Sequence, residues 1–292
     1  MIRAFALGIA VLAAAAPCAA LGQQNARIVT TSADLKSLVE AVGGDRVKVD
    51  SLAVPEQDPH SIELKPGQLV RLREAALLVR IGLDHEPWLA RALSAVKLPV
   101  LDVSKEVKLL QTATPRLRVE RTAHVHAYGN THYWLNPDNA RPVTAAILAA
   151  LVELGFADRQ IFEANRSAFL SRLDGKIAEW ERALDPYRGT KVVVVHDSWA
   201  YFAERFGLQI VAAAEPNPGV PPSPAELAAL FKRMRESGVR VLLAEPSANP
   251  ALVRQIVEKA GARAVTLSTS GFDYVALFDE NVKRLCAALK AE

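Results

Sequence analysis

Short runs of β-branched and other apolar residues alternate along the chain with longer segments whose apolar positions recur at helical spacing. The first half contains four predicted strands, at residues 27–31, 47–54, 76–81 and 100–103. The second half contains four more, at residues 191–195, 209–214, 239–244 and 264–267. Strands that alternate with helices favour a parallel sheet covered on both faces. The pattern therefore predicts an α/β protein with two similar lobes, each a mainly parallel sheet flanked by helices.

A long uninterrupted helical segment separates the two halves of this pattern. Residues 158–185 contain no break except the tolerated Gly175, and their apolar positions recur at helical spacing. At about 1.5 Å per residue, such a helix is roughly 40 Å long. We therefore predict an N-terminal lobe at residues 23–157, one long rigid helix at 158–186 and a C-terminal lobe at 187–292. A rigid connection predicts little relative movement of the lobes and a largely pre-formed cleft.

Shorter helices are predicted between the strands of both lobes. Ser32 is the predicted N-cap of the first, and the glycine pair at 43–44 is its predicted stop. The predicted segments are 32–42, 66–74, 198–206, 223–237, 250–260 and 274–288, and a further helix is predicted to start near Asp138.

The N-terminus has the pattern of a cleaved secretory signal. Arg3 precedes an apolar run at residues 4–16, and small residues up to Gly22 form the predicted cleavage site. The apolar run is shorter than the roughly 20 residues that a membrane-spanning helix needs. We predict that residues 1–22 are removed and that Cys18 is lost with them. A lipid anchor on Cys18 is the alternative.

Charge and cysteine content narrow the class of ligand. Of 35 basic residues, the signal removes Arg3, which leaves 34 against 32 acidic residues. This near balance gives no electrostatic case for binding nucleic acid or an acidic membrane surface. After removal of the signal, Cys286 is the single cysteine, so the mature chain can form no internal disulfide. We expect a small ligand and a monomer.

Three of the six histidines suggest a metal site. His60, His132 and His196 lie about 60 to 70 residues apart, each at the end of an apolar or aromatic stretch. Ligands scattered in sequence in this way can converge on one metal ion between two lobes. A buried histidine that only satisfies backbone groups is the alternative for each one taken singly. His85 is predicted to line the rim of the cleft or the surface.

Two glutamates follow predicted strands of the second lobe. Glu215 follows the strand at 209–214, and Glu245 follows the strand at 239–244. Ligands of open α/β sheets bind beyond the carboxyl ends of the strands, where His196 also lies. We predict Glu215 as a candidate ligand. Glu245 is predicted to orient His196 or to cap a neighbouring helix.

Four motifs together resemble one protein family over nearly the whole mature chain. They are Asp58-Pro59-His60-Ser61 followed by Lys65-Pro66, His132-Tyr133-Trp134-Leu135-Asn136-Pro137, His196-Asp197-Ser198-Trp199-Ala200-Tyr201-Phe202, and Ala244-Glu245-Pro246. In combination they are similar to signatures of the cluster A-I solute-binding proteins of ABC transporters for zinc and manganese. The resemblance implies two lobes joined by a rigid helix and a metal ion in the cleft. It also implies a periplasmic protein that delivers this ion to a membrane permease.

The resemblance also implies which residues bind the metal. The family's first three ligand positions correspond to His60, His132 and His196. Manganese-type members carry a carboxylate at the third position, whereas this chain has histidine there. Three neutral imidazoles favour Zn²⁺ as the transported ion, because Mn²⁺ prefers oxygen ligands. A manganese or iron carrier is the less favoured alternative, and a metallochaperone is a further expected partner.

The fourth ligand is where the chain departs from the family pattern. Manganese-type members carry Gly-Asp immediately before a small residue and tyrosine, whereas this chain has Gly271-Phe272-Asp273-Tyr274. The acid is displaced by one residue, so Asp273 is either a ligand or only the N-cap of the last helix. Glu215 and water are the other candidates for the fourth position.

Two further histidines and an enzymatic alternative remain. His124 and His126 lie in a loop where zinc-type relatives carry insertions rich in histidine; they either catch zinc transiently or are solvated loop residues. Three histidines with an open fourth position also describe hydrolytic zinc sites. However, the chain has no His-Glu-x-x-His helix and no Gly-x-Ser-x-Gly motif. We therefore predict a carrier that is not an enzyme.

Overall fold

The computed structural model describes residues 26–55, 57, 60–110, 129–155, 159–215 and 220–290. The predicted signal at 1–22, with Cys18, lies outside the described residues, as do His124 and His126. Within the described residues the chain forms two four-stranded parallel sheets. No helix in this part of the chain is both long and apolar enough to cross a membrane.

The first sheet and its helices form the N-terminal half. Its strands are β1 (Ala26–Thr30), β2 (Val47–Ser51), β3 (Leu77–Arg80) and β4 (Val100–Asp102), in the order β2-β1-β3-β4. Every neighbouring pair is parallel. The helices are α1 (Ala33–Gly43), α2 (Pro66–Arg73), α3 (Leu89–Ser94) and α4 (Ala140–Glu153).

The second sheet repeats the same topology. Its strands are β5 (Lys191–Val194), β6 (Gln209–Ala213), β7 (Val241–Ala244) and β8 (Arg263–Thr266), in the order β6-β5-β7-β8. All pairs are again parallel. The helices are α6 (Ala200–Phe206), α7 (Pro224–Ser237), α8 (Pro250–Ala260) and α9 (Tyr274–Leu289). Each sheet reverses its strand order beside its first strand, which is where α/β sheets bind ligands.

Each sheet is buried on both faces because its strands alternate two sets of apolar side chains. In β1, Ile28 belongs to a large core and its neighbour Val29 to a smaller one on the opposite face. In β5, Val194 joins the same large core, whereas Val193 points to a third cluster. The large core therefore runs without interruption from one sheet to the other.

The predicted linking helix is α5 (Arg159–Leu184), 26 residues long. It packs against α1 and α4 of the first half and against α9 of the second. Leu173 is fully buried within the shared core, and the Trp180 ring stacks on Phe278 at 5.0 Å. The Trp180 indole also donates to Asp279 Oδ1 at 2.8 Å. One apolar face of the helix thus packs against both halves, which supports a rigid connection.

The sequence located all eight strands, and the element ends differ by a few residues. The predicted strand at 47–54 ends at Ser51, because the chain then turns into the loop that carries His60. Ser32 is the N-cap of α1, as predicted, and accepts from the Leu35 backbone N–H at 3.2 Å. The six-residue α3 was missed because it is too short to show a periodic pattern. The predicted lobe boundaries stay a prediction.

Candidate metal site

The fold brings His60, His132 and His196 together. His60 lies in the loop after β2, His132 immediately precedes a 3-10 turn at Tyr133–Leu135, and His196 comes two residues after the end of β5. One ligand nitrogen from each lies within 4.8 Å of the others. His132 is buried and the other two are half-buried. Two halves of the chain therefore contribute to one cluster of imidazoles.

The spacing of the three rings suits tetrahedral coordination. The ring centres are 5.4 Å apart for His60 and His132, 5.7 Å for His60 and His196, and 5.3 Å for His132 and His196. With zinc–nitrogen bonds of about 2.0–2.1 Å, each ring centre lies about 3.2 Å from the metal, and tetrahedral angles place the centres about 5.2 Å apart. The observed triangle is within half an ångström of that value, so little rearrangement would be needed to bind a metal.

A backbone carbonyl orients His60. Its Nδ1 lies 3.1 Å from the carbonyl oxygen of His85, which can only accept a hydrogen bond. The proton is therefore on Nδ1, and Nε2 carries the lone pair available to a metal. Nε2 is itself buried.

Asn130 orients His132 and links it to the second half of the chain. Its Oδ1 accepts from the His132 backbone N–H at 2.9 Å and lies 3.2 Å from His132 Nδ1. Its Nδ2 donates to the carbonyl oxygen of Asp197 at 2.6 Å, next to His196. One amide side chain thus holds segments that carry two of the histidines.

Glu245 holds the segment after His196. It is buried, and its Oε1 accepts from the Trp199 indole N–H at 2.9 Å. Ser198 also bonds to this carboxyl. Burial, with a smaller contribution from the nearby charge of Glu215, raises the pKa of Glu245 to about 7, although the hydrogen bonds from Ser198 and Trp199 lower it. The side chain therefore anchors the turn that follows His196, a narrower role than the predicted choice between orienting His196 and capping a helix.

The two candidate carboxylates occupy different environments. Asp273 is exposed and caps α9, with Oδ1 accepting from the backbone N–H groups of Val275 at 2.9 Å and Ala276 at 3.0 Å. Glu215 follows β6 and is half-buried; its backbone N–H donates to Val195 at 2.9 Å. Among the described residues, neither carboxylate belongs to the group of ligand atoms within 4.8 Å.

His85 was predicted at the rim or surface, and that prediction is wrong. The side chain is fully buried, with its ring centre 4.2 Å from that of His60 and 5.2 Å from that of His132. Its Nδ1 lies 2.8 Å from Thr131 Oγ1. Its place in the turn that follows the buried strand β3, at the carboxyl edge of the sheet, was the signal that could have found it.

The segment between β8 and α9 ties the second half of the chain to the first. Asp34, fully buried in the first turn of α1, accepts from Ser270 Oγ at 2.6 Å and from the Gly271 N–H at 3.1 Å. The Trp134 indole donates to the Thr269 carbonyl at 2.7 Å. Burial raises the pKa of Asp34 to about 7. Because these contacts involve only protein groups, they support a cleft that is formed before any ligand binds.

Comparisons with known proteins agree with this geometry. A family model described as ZnuA, zinc-uptake complex component A, periplasmic, matches residues 28–288. The high-affinity zinc uptake system protein ZnuA of Paracoccus denitrificans (strain Pd 1222) is 28% identical over 294 residues, covering 90% of this chain and 87% of that protein. A crystal structure of ZnuA has a TM-score of 0.80 at 28% identity, covering 90% of this chain and 99% of that one.

A crystal structure of a zinc-bound ZnuA deletion mutant is also similar. Its TM-score is 0.79 at 28% identity, and the match covers 90% of this chain and 98% of that one. The predicted architecture of two mainly parallel sheets joined by a long helix is confirmed by these neighbours.

Proposed function

The chain belongs to the family of periplasmic component A proteins of zinc-uptake complexes, and we propose that it captures Zn²⁺ with the imidazoles of His60, His132 and His196. The observation that carries this proposal is the triangle of three rings at tetrahedral spacing. The relatives named for zinc uptake support the same ion.

Ligand chemistry favours zinc over manganese. Imidazole nitrogen is a ligand that Zn²⁺ accepts readily, whereas Mn²⁺ binds best to carboxylate and other oxygen ligands. The three nitrogens carry no negative charge, so a hard cation gains little from them. We propose that Zn²⁺ is the transported ion and that Mn²⁺ binds more weakly.

We propose Glu215 rather than Asp273 as the carboxylate of the fourth position, with water as the alternative ligand. Asp273 already accepts two backbone hydrogen bonds as the cap of α9, which argues for its role as a cap alone. Glu215 lies at the carboxyl end of β6, beside the strand that leads to His196. Loss of Glu215 should therefore weaken zinc binding more than loss of Asp273.

The partner proposed for delivery is the membrane permease of an ABC transporter. The chain is proposed to be exported to the periplasm after cleavage near Gly22. One chain supplies all three histidines, which supports a monomer as the binding unit, and a metallochaperone remains a predicted loading partner. The hydrolase alternative is not favoured, because the family consists of uptake components.

Metal content and affinity test the proposal. Protein purified without an affinity tag should contain one zinc per chain by plasma mass spectrometry. Replacing His60, His132 or His196 singly by alanine should weaken zinc binding at least about tenfold in competition with a chelator. Binding should also weaken below about pH 6.5, because a protonated imidazole cannot ligate.

The double variant His124→Ala/His126→Ala is the matched control. It removes two imidazoles that lie outside the described residues and should leave the stoichiometry at one zinc per chain. Undiminished binding by all three single variants would overturn the ligand assignment. Manganese that binds as tightly as zinc would overturn the choice of ion.

A further inference from the structure

The turn after β3 has an unusual backbone conformation. Gly82, Leu83 and Asp84 have φ angles of 84°, 57° and 55° in succession. Left-handed φ is ordinary for glycine, but leucine and aspartate adopt it rarely because their Cβ atoms crowd the backbone. Among the described residues these are the two non-glycine positions with positive φ. Backbone strain of this kind concentrates at functional sites and persists only where the surroundings enforce it.

Glu86 enforces the conformation of this turn. Its Oε1 accepts from Thr31 Oγ1 at 2.6 Å and from the Ile81 N–H at 2.7 Å, and its Oε2 accepts from the Gly82 N–H at 3.0 Å. The side chain is buried, which raises its pKa, whereas the three donors and the Arg80 charge favour the ionised form. The carboxylate thus bonds to Thr31, which follows β1, and to the two backbone N–H groups that follow β3. These bonds close the turn onto both strands.

The turn presents His85 to two of the candidate ligands at once. The carbonyl of His85 accepts from His60 Nδ1 at 3.1 Å. The imidazole of His85 lies 2.8 Å from Thr131 Oγ1, beside His132, and its ring is 5.2 Å from that of His132. A change in the turn would therefore alter the orientation of His60 through the backbone and of His132 through a packed side chain.

We propose that Glu86 is a positioning residue of the metal site. It holds the 82–85 turn in its left-handed conformation. The His85 carbonyl then sets the tautomer and the ring orientation of His60, and the His85 ring packs against His132. The functional consequence of this role, weaker zinc binding when Glu86 is replaced, rests on the proposed zinc function. Its structural content, the tautomer of His60, does not depend on any metal.

Glu86→Gln is the test variant. The amide must place its NH₂ group against the N–H of Gly82 or against the donors at Ile81 and Thr31, so one hydrogen bond is replaced by a repulsion between two donors. Glu226→Gln is the chemically matched control, because Glu226 Oε2 accepts from the Ser223 N–H at 2.7 Å in a capping box of α7. That cap belongs to a helix of the second half and has no part in the 82–86 turn.

Two measurements separate positioning from a general role in stability. Long-range ¹H–¹⁵N spectra of the metal-free protein report the tautomer of each histidine, with His60 assigned by comparison with His60→Ala. We expect the Nδ1–H tautomer for His60 in the wild type and in Glu226→Gln, and a mixture of tautomers in Glu86→Gln. Zinc binding by Glu86→Gln should weaken at least about tenfold, whereas the control should stay within about twofold of the wild type.

An unchanged His60 tautomer together with wild-type zinc affinity in Glu86→Gln would overturn the inference and leave Glu86 as a purely structural residue. If Glu86→Gln does not fold, Thr31→Val decides the matter, since it removes one of the three donors and nearly preserves side-chain shape. It should shift the same two measurements in the same direction by a smaller amount, and no shift would overturn the inference. If the wild type binds no zinc, the proposed function fails, but the tautomer comparison still tests the role of Glu86.

Discussion

The buried carboxyl of Asp34 predicts an unusual dependence of stability on pH. Burial raises its pKa from 3.8 to about 7 in the folded protein, despite hydrogen bonds from Ser270 and Gly271 that lower it. Between these two values the folded state binds a proton that the unfolded state has released. The stability that this group contributes is therefore fully present below about pH 4 and is lost as pH rises through about 7.

The magnitude follows from the same two values. The difference between 3.8 and about 7 corresponds to about 4 kcal/mol, at about 1.4 kcal/mol per pH unit. Asp34→Asn removes this dependence, because the amide stays neutral at every pH. The geometry tolerates the amide: Oδ1 can accept from the Gly271 N–H while Nδ2 donates to Ser270 Oγ. The phenol of Tyr274 beside it does not ionise in this range, because burial and the Asp34 charge raise its pKa.

Urea unfolding of the metal-free protein at intervals from pH 4 to pH 8 measures the effect. The free energy of unfolding of Asp34→Asn, relative to the wild type, should increase by up to about 4 kcal/mol across this range. Asp45→Asn is the control, since the Asp45 side chain is 92% exposed, and its profile should run parallel to that of the wild type. Parallel profiles for Asp34→Asn and the wild type would refute the reasoning.

Three further predictions concern the backbone, the contact between the halves of the chain and the linking helix. Gly82→Ala should lower the free energy of unfolding by about 2 kcal/mol or more, because its Cβ would lie 2.1 Å from Asp102 Oδ1 at a φ of 84°. In Gly175→Ala, inside α5, the added Cβ meets nothing within 4 Å. This change should raise the free energy of unfolding by about 0.5–1 kcal/mol. Trp134→Phe removes the donor to the Thr269 carbonyl and should cost about 1–2 kcal/mol in denaturant unfolding, with zinc still bound. Small-angle scattering should give nearly equal radii for the metal-free and zinc forms, and a contraction of several ångströms would contradict a rigid α5.

Local patterns in the sequence were sufficient for the fold class and for the three histidines. Strand and helix periods depend on neighbouring residues, so the alternation of the two and the long α5 can be recognised without knowledge of the fold. His60, His132 and His196 each end or follow an apolar segment, and parallel strands place their carboxyl ends on one edge of a sheet. This argument places His60 after β2 and His196 after β5, whereas His132 lies 30 residues after the end of β4 and was recognised by its motif.

The surroundings of those histidines depended on contacts between residues far apart in sequence. Asp34 and Ser270 are separated by 236 positions and meet only in the folded chain. The position of His85 after β3 indicates the carboxyl edge of the sheet, but the packing of the turn against His60 and Thr131 decided its full burial. Burial and hydrogen bonding set which nitrogen or oxygen is available, and both are properties of the tertiary structure. The sequence by itself therefore determined which side chains could bind a metal, and only the fold decided how they are oriented and what holds them there.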